Sequence, residues 1–428
     1  MTETHVNVRA LVLELLLEIT SQKAYSHVAL RGALEKYQYL SKQERAFLTR
    51  LTEGTIERML ELDYLIGRFS KVPVHKMKPV IRNILRMSAY QLKYMDRVPD
   101  AAVCSEAVKL AGKKGFVNLK GFVNGVLRNL ARNIHTVPLP DLSVRYSTPE
   151  WIVRQWTEEY GEKMAVRMLE SQFEERQTTV RINLLKTTKE ELIRRLEQEG
   201  VRAREIESVP CGLFLENYDH LRALPSFREG LYQVQDASSM RAALLAAPKP
   251  GDYCIDVCAA PGGKSLHLSE LMKGTGMVEA RDLTDYKVSL IQENIDRMGA
   301  RNIKAVCMDA TIPDADSVEK ADILLADLPC SGLGVLNKKR DLKYRISAKQ
   351  QKELVQLQRQ ILSTVWQYVK PGGTLLYSTC TVHKEENEGN AAWFTKRYPF
   401  VLKEQIQLLP GTGPWDGFYM AKLKRETL

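Results

Sequence analysis

"DVCAAPGGKS", residues 256–265, joins an apolar strand-like run at 253–257 to a helical run at 264–272. Small residues and two glycines let the backbone approach a ligand closely, and the helix N-terminus behind them adds N–H donors. The stretch is neither G-x-G-x-x-G nor a Walker loop, which disfavours a dinucleotide or a nucleoside triphosphate. Working outward, strand-like runs recur at 277–281, 303–307, 322–326 and 373–378, and helical runs at 286–298 and 349–369. That alternation predicts an α/β domain, a Rossmann-like parallel sheet covered on both faces.

Asp282 closes the second strand about twenty residues beyond the glycines, where such sheets place an acid for ribose hydroxyls. Asp309 follows the third strand and can receive a base amine. Ordinary tight turns would account for the glycines but not for the two acids as well. The set reads as a site for an adenosine-containing ligand. In a sheet ordered 3-2-1-4-5, "ILLADLPCSG" (323–332) and "TLLYSTCTV" (374–382) are strands 4 and 5. Cys330 and Cys380 then leave neighbouring strands at the ligand rim, together with Asp327. Two thiols and a carboxylate suit covalent catalysis on cytosine. A thiolate adding at carbon 6 makes carbon 5 an enamine that attacks an electrophilic methyl group. Asp327 can hold the ring nitrogen, and the second thiol can assist loss of the carbon 5 proton. The residues themselves do not rank the two thiols.

The 428-residue length suggests roughly three domains, and 44% hydrophobic residues fill several cores. No run of about 18 apolar residues occurs, so no membrane span is expected. Seven cysteines, an odd number without framework spacing, point to reduced thiols in a cytoplasmic protein. The net charge of +10 is concentrated: residues 1–140 hold 22 Lys and Arg against 12 Asp and Glu, and the rest is balanced. Such a field attracts phosphate backbones.

Residues 1–135 read as all helix. Val8, Leu11, Val12, Leu15, Leu16 and Ile19 keep helical spacing, as do Ile81, Ile84, Leu85, Ala89 and Leu92. Arg82, Arg86 and Lys93 lie off that second stripe and are expected to face solvent together. "HTVPLPDLSVRYSTP" reads as a linker, placed at 136–144. Residues 145–245 form a small α+β module, with a strand in "TTVRINLLK" and a Thr-capped helix in "TKEELIRRLEQEG". The methyl-transferring domain would occupy 246–428.

Cys254 and Cys258 lack the partners of a zinc site, and no metal is expected. Cys104 and Cys307 read as apolar filler. His267 and His383 flank the motifs and are read as satisfied structural residues. Lys264 either orients site groups or caps a turn. Tyr232–Ser239 either lines the cleft or staples two domains.

With these motifs in view, the chain resembles the bacterial ribosomal RNA 5-methylcytidine methyltransferases, in particular the RsmB (Sun/Fmu) group. "DVCAAPGGKS", "DLPCSGLGV" and "LLYSTCTVHKEENE" look like that family's cofactor, first-cysteine and second-cysteine motifs. "AYSHVAL", "GTIERMLELDYLI" and "GFVNGVLRN" resemble its N-terminal NusB-like domain, and a ferredoxin/RRM-like module is implied between. The resemblance implies S-adenosyl-L-methionine as cofactor, held by Cys258, Ala259, Ala260, Pro261, Gly262, Gly263 and Lys264 with Asp282, Asp309 and Asp327. It implies Cys380 as nucleophile, Cys330 as the thiol that helps release product, and a cytidine of 16S ribosomal RNA as substrate. No DNA partner is expected. Transfer RNA methylation and a nonenzymatic RNA-binding assembly factor are the alternative functions. The sequence departs from the family at 336–345, "LNKKRDLKYR", where Arg-Arg-x-Pro-Asp is usual. Positive charge survives there as Lys338, Lys339 and Arg340, but the proline does not.

Overall fold

The computed structural model describes residues 7–175 and 177–427. The chain condenses into two units, residues 1–170 with 336–345, and residues 171–335 with 346–428.

The first unit is helical. Its opening helix, Val8–Ser21, starts where the Asn7 side chain accepts from the Ala10 N–H, and Lys42–Glu57 starts on a Ser41/Glu44 capping box. Val12, Leu16, Leu48, Leu51, Leu62, Ile66, Ile84 and Leu127 form one fully buried core. Helix Pro79–Tyr94 runs through its centre and buries nearly every side chain from Ile81 to Leu92. The expectation that Arg82, Arg86 and Lys93 share a solvent face is therefore corrected. A helix packed on all sides must neutralise its off-stripe cations internally. Arg86 makes a two-pronged pair with Asp63, both contacts at 2.6 Å, and Lys93 meets Glu61 at 2.7 Å.

Leu336–Arg345 is part of this helical unit although it lies far downstream in the chain. Arg340 pairs with Glu57 and, at 3.4 Å, with Glu53. Asp341 accepts from the Ser26 hydroxyl and amide. Tyr344 donates to the Ser147 carbonyl at 2.8 Å, and the Arg345 guanidinium lies 4.7 Å over the Tyr25 ring. Burial pushes the Lys343 ammonium down to about 7. Arg340 thus serves two helix carboxylates.

The second unit holds two sheets. Strands β1 (Thr178–Ile182), β2 (Arg202–Glu205), β3 (Gly212–Glu216) and β4 (Tyr232–Val234) form an antiparallel sheet ordered β2-β3-β1-β4. Helix Lys189–Gln198, capped by Thr188 and Glu191, buries Leu192 and Leu196 in the same core as β1 and β3. The larger sheet comprises β5 (Tyr253–Asp256), β6 (Met277–Asp282), β7 (Ile303–Cys307), β8 (Ala321–Asp327), β9 (Val369–Thr379), β10 (Phe400–Leu408) and β11 (Phe418–Arg425). Its order is β7-β6-β5-β8-β9-β11-β10. The first five strands are parallel in the anticipated 3-2-1-4-5 order, and β11 and β10 extend the sheet antiparallel. Chain order reverses between β5 and β8, which makes their carboxyl ends the switch point where such sheets bind ligands. Among the described residues, no helix is long and apolar enough to cross a membrane.

Arg86→Ala leaves Asp63 without its partner inside the helical core. Unfolding free energy in urea should fall by about 2 kcal/mol, less than for a wholly buried pair because Asp63 is partly solvated. A loss below about 0.5 kcal/mol would show that the pair is dispensable.

Candidate active site

The site begins with strand register. In the parallel β8–β9 pair, Asp327 lies opposite Ser378, and the Ser378 hydroxyl donates to Asp327 Oδ1 at 2.7 Å. Cys330 follows three residues beyond Asp327 and Cys380 two beyond Ser378, so one register brings both exits together. Leu328 N–H donates to Ser378 O and Gly334 N–H to Cys380 O, tying the two loops along their length. The two sulfurs end 3.2 Å apart.

A buried carboxylate clamps the pair from behind. Glu386 accepts from the Ser331 amide at 2.9 Å, the Ser331 hydroxyl at 2.5 Å and the Gln358 amide at 3.0 Å, and its carboxylate lies 3.3 Å from His383 Nδ1. Ser331 and Thr381, each the residue after a cysteine, share a 2.7 Å hydroxyl contact. Sequence reading quoted Glu386 within its motif but gave it no role; a carboxylate in "HKEENE" with no exposure is visible only in three dimensions. A close backbone approach supports the same loop. A Cβ on Gly334 would sit 2.1 Å from the Gly417 carbonyl oxygen, so only glycine fits.

The electrostatics are uneven. Its hydrogen bond to Cys380 and its burial hold the Cys330 thiol well above the ordinary cysteine range. The two sulfurs are thus electrostatically linked, and the Cys330 proton is the one held. Lys264 Nζ is 2.6 Å from Asp327 Oδ2. Burial opposes the Lys264 charge, but Asp327 outweighs it and the ammonium is held above its usual value, with Cys380 adding in the same direction. Lys264 thus orients site groups rather than merely capping a turn.

The glycine loop is built as anticipated. Gly262, at φ +97°, is in the left-handed region that favours glycine, and helix Gly263–Leu271 starts from it. Ala259 N–H donates to Arg281 O, while Ala260 N–H donates to Asp282 Oδ2 at 2.9 Å. Asp282 Oδ1 also accepts from Leu283 N–H and Lys287 Nζ. Asp309 stands apart from these contacts. It turns back on Thr311, whose hydroxyl and amide donors hold its carboxyl below the usual range. Pro261 and Cys258 complete the loop, and burial pushes the Cys258 thiol up, away from reactivity.

Asp256 was not singled out from sequence. It ends β5 directly before the loop; Oδ2 accepts from Ser265 at 2.6 Å, and Oδ1 is buried with no hydrogen-bond partner among the described residues. Burial raises its pKa to about 7, against the opposing Ser265 bond. An orphaned acceptor under a glycine loop, between the acids of β6 and β8, fits a ligand that carries an ammonium group.

The other open readings resolve structurally. Tyr232–Ser239 staples the two sheets: Arg181 of β1 binds Gln235, the Gly263 carbonyl at 2.7 Å and Glu270 at 2.8 and 3.0 Å. His267 is fully buried, 3.6 Å from Cys211, and burial keeps its ring neutral. Cys254 packs on Met272.

Two measurements check this geometry. Diamide should oxidise the adjacent Cys330–Cys380 pair to a disulfide in wild type, and Glu386→Ala should slow that reaction at least about tenfold by loosening the clamp. Equal rates by mass spectrometry would remove the clamp role. For Asp256, the folded pKa lies above the unfolded value, so its contribution is full below about pH 4 and is lost as pH rises through 7. Asp256→Asn should abolish that part of the pH dependence of urea stability. Parallel stability curves from pH 4 to 8 would refute it.

Known proteins place this arrangement. The family model described as 16S rRNA methyltransferase RsmB/F matches residues 243–424, the NusB family model residues 6–132, and an RsmF/B-like ferredoxin-like domain residues 148–220. The probable ribosomal RNA small subunit methyltransferase B of Bacillus subtilis (strain 168) is 34% identical, over 98% of this chain and 99% of that protein. Its namesake in Synechocystis is 34% identical over 98% and 100%. The crystal structure of PH0851 superposes with a TM-score of 0.84 at 26% identity, covering 98% of this chain and 99% of that one. NSun6 from Pyrococcus horikoshii, solved with SFG, shares the fold over 65% of this chain and 98% of its own, at a TM-score of 0.59 and 23% identity. A glycine loop, two adjoining thiols and identity sustained along nearly the whole chain agree: the chain belongs to the RsmB/F family of 16S rRNA methyltransferases, with NusB, ferredoxin-like and methyltransferase domains.

Proposed function

We propose that the protein methylates carbon 5 of a cytidine in 16S ribosomal RNA through a covalent cysteine adduct. The observation that carries this reading is the 3.2 Å approach of Cys330 and Cys380 at the ends of adjacent strands, beside the Asp327–Lys264 pair. S-adenosyl-L-methionine, when bound at the glycine loop, supplies the methyl group as an electrophile. Asp256 with its orphaned oxygen, Asp282 at the end of β6 and Asp309 beyond β7 are the residues that would hold it.

Cys380 is taken as the nucleophile, the order that the family resemblance implies and that the raised Cys330 thiol accommodates. The Cys380 Sγ bonds to carbon 6, and the ring electrons move toward carbon 5, which then takes the methyl group. Asp327 holds the ring nitrogen side and is itself held by Ser378 and Lys264. Adduct formation removes the Cys380 hydrogen bond that holds the Cys330 thiol up. Cys330 can then release its proton to solvent and accept the one leaving carbon 5. The Cys380–carbon 6 bond breaks as the ring double bond returns, and one proton is released overall. Family resemblance supports this order of the thiols.

Cys380→Ala should abolish methyl transfer with cofactor binding retained. Cys330→Ala should accumulate a protein–RNA adduct stable on denaturing gels. An adduct from Cys380→Ala instead would reverse the two roles. Bisulfite mapping of total RNA, with and without the protein, should lose one or more protected cytidines in 16S rRNA. Loss confined to transfer RNA would overturn the substrate.

A further inference from the structure

The concentrated positive charge of the helical unit includes a group of cations that the fold does not use. Helices Asp100–Lys113 and Lys120–Asn133 pack side by side. An open groove of about 710 Å³ lies along them, lined by Lys109, Lys120, Arg128 and Arg132 against one acid, Asp100.

Two features separate these cations from a merely solvated face. The first is that three of the four lack carboxylate partners, Lys109 being held by Glu106 at 2.9 Å. Where this unit needs a cation for its own packing it supplies an acid: Asp63 for Arg86, Glu61 for Lys93, Glu57 for Arg340. Lys120, Arg128 and Arg132 have no carboxylate within 4.0 Å among the described residues. The second is steric construction. Lys120 is only half exposed because its stem lies over Gly112 of the facing helix, where a Cβ would come within 2.3 Å of Lys120 Cε. Gly121 and Ser105 keep the groove floor low. On the second helix, Val123, Val126, Leu127 and Leu130 turn into the core, while Asn124, Arg128 and Arg132 form the opposite stripe at four-residue steps. Arg128 and Arg132 are about 6 Å apart along the axis, a separation that suits successive phosphates of one strand.

We propose that this groove grips the phosphodiester backbone of the RNA substrate, with Lys120, Arg128 and Arg132 as the principal contacts. The proposal rests on the ribosomal RNA reading above and gives it a second anchoring point remote in sequence from the thiols. Its contacts are to phosphate, so it contributes affinity and placement rather than sequence preference.

The test uses the full-length protein and a naked transcript of 16S rRNA, with binding measured by fluorescence anisotropy from 50 to 300 mM KCl. The triple variant K120E/R128E/R132E should bind about tenfold or more weakly at 100 mM salt, and its log–log salt slope should shrink by about 2. A matched reversal of exposed lysines in the other unit, K304E/K352E/K403E, should lose less affinity. If the groove reversal fails to fold by circular dichroism, K120Q/R128Q/R132Q carries the measurement, with the same slope change expected. Unchanged affinity and slope in a folded groove variant would overturn the proposal and leave the groove to an acidic protein partner. Equal losses from both triple reversals would also overturn it, since only net charge would then matter. A wild-type protein that binds the transcript steeply with salt yet transfers no methyl group would sink the methylation reading, while the groove would still be judged by its own binding data.

Discussion

The parallel pairing of β8 with β9 is the constraint on which the site depends. Neighbouring strands lie about 4.8 Å apart and alternate side chains with a period of two. Once Asp327 and Ser378 are opposite, the exits of both strands stand at one height and their next few residues share one rim. A one-residue slip would turn Asp327 away from Lys264 and part the sulfurs. The register is guarded from several sides. Apolar partners Leu324 and Leu375 are fully buried in it, Lys264 draws Asp327 toward the glycine loop, and Glu386 holds the two loops beyond.

A second constraint ties the small sheet to the cofactor loop. Arg181 and Glu270 form an ion pair with essentially no exposure. Such a pair is costly to desolvate and adds little net stability. Its geometry is directional, however. One guanidinium joins Glu270, Gln235 and the carbonyl of Gly263, the first residue of the loop helix. The antiparallel sheet is therefore fixed relative to the loop, at the level of hydrogen-bond lengths. Asn183, donating to the carbonyls of Gly230 and Met298, repeats the tie on the far side.

Cations in this chain fall into two populations. Arg86, Lys93 and Arg340 are matched by carboxylates and belong to packing. Lys120, Arg128 and Arg132, along the Asp100–Lys113 and Lys120–Asn133 groove, have no carboxylate partner among the described residues and belong to the surface field. Net charge does not separate the two, because an arginine contributes +1 whether or not an acid is folded against it. The distinction matters to nucleic-acid affinity, which depends on cations free to displace counterions.

Much of the catalytic sheet was legible because periodic patterns are local. Alternating strand and helix runs, Gly262 before a helix, Asp282 and Asp309 at strand ends, and two cysteines after apolar runs all declare themselves within a few residues. The last two strands were not read, although apolar Phe418 to Ala421 and Leu423 give a strand-like run; being antiparallel additions, they break the alternation that identified the rest. The sequence by itself thus determined the five parallel strands, their order and the residues placed at their ends. Only the tertiary structure decided which polar groups became partners. Arg340 finds Glu57 across 283 positions, Cys330 finds Cys380 across 50, and Glu386 reaches back to Ser331. Residue spacing encodes helix and strand directly, because their repeats are fixed by backbone geometry. Pairing between distant side chains is set by how the elements pack, and no local period records it.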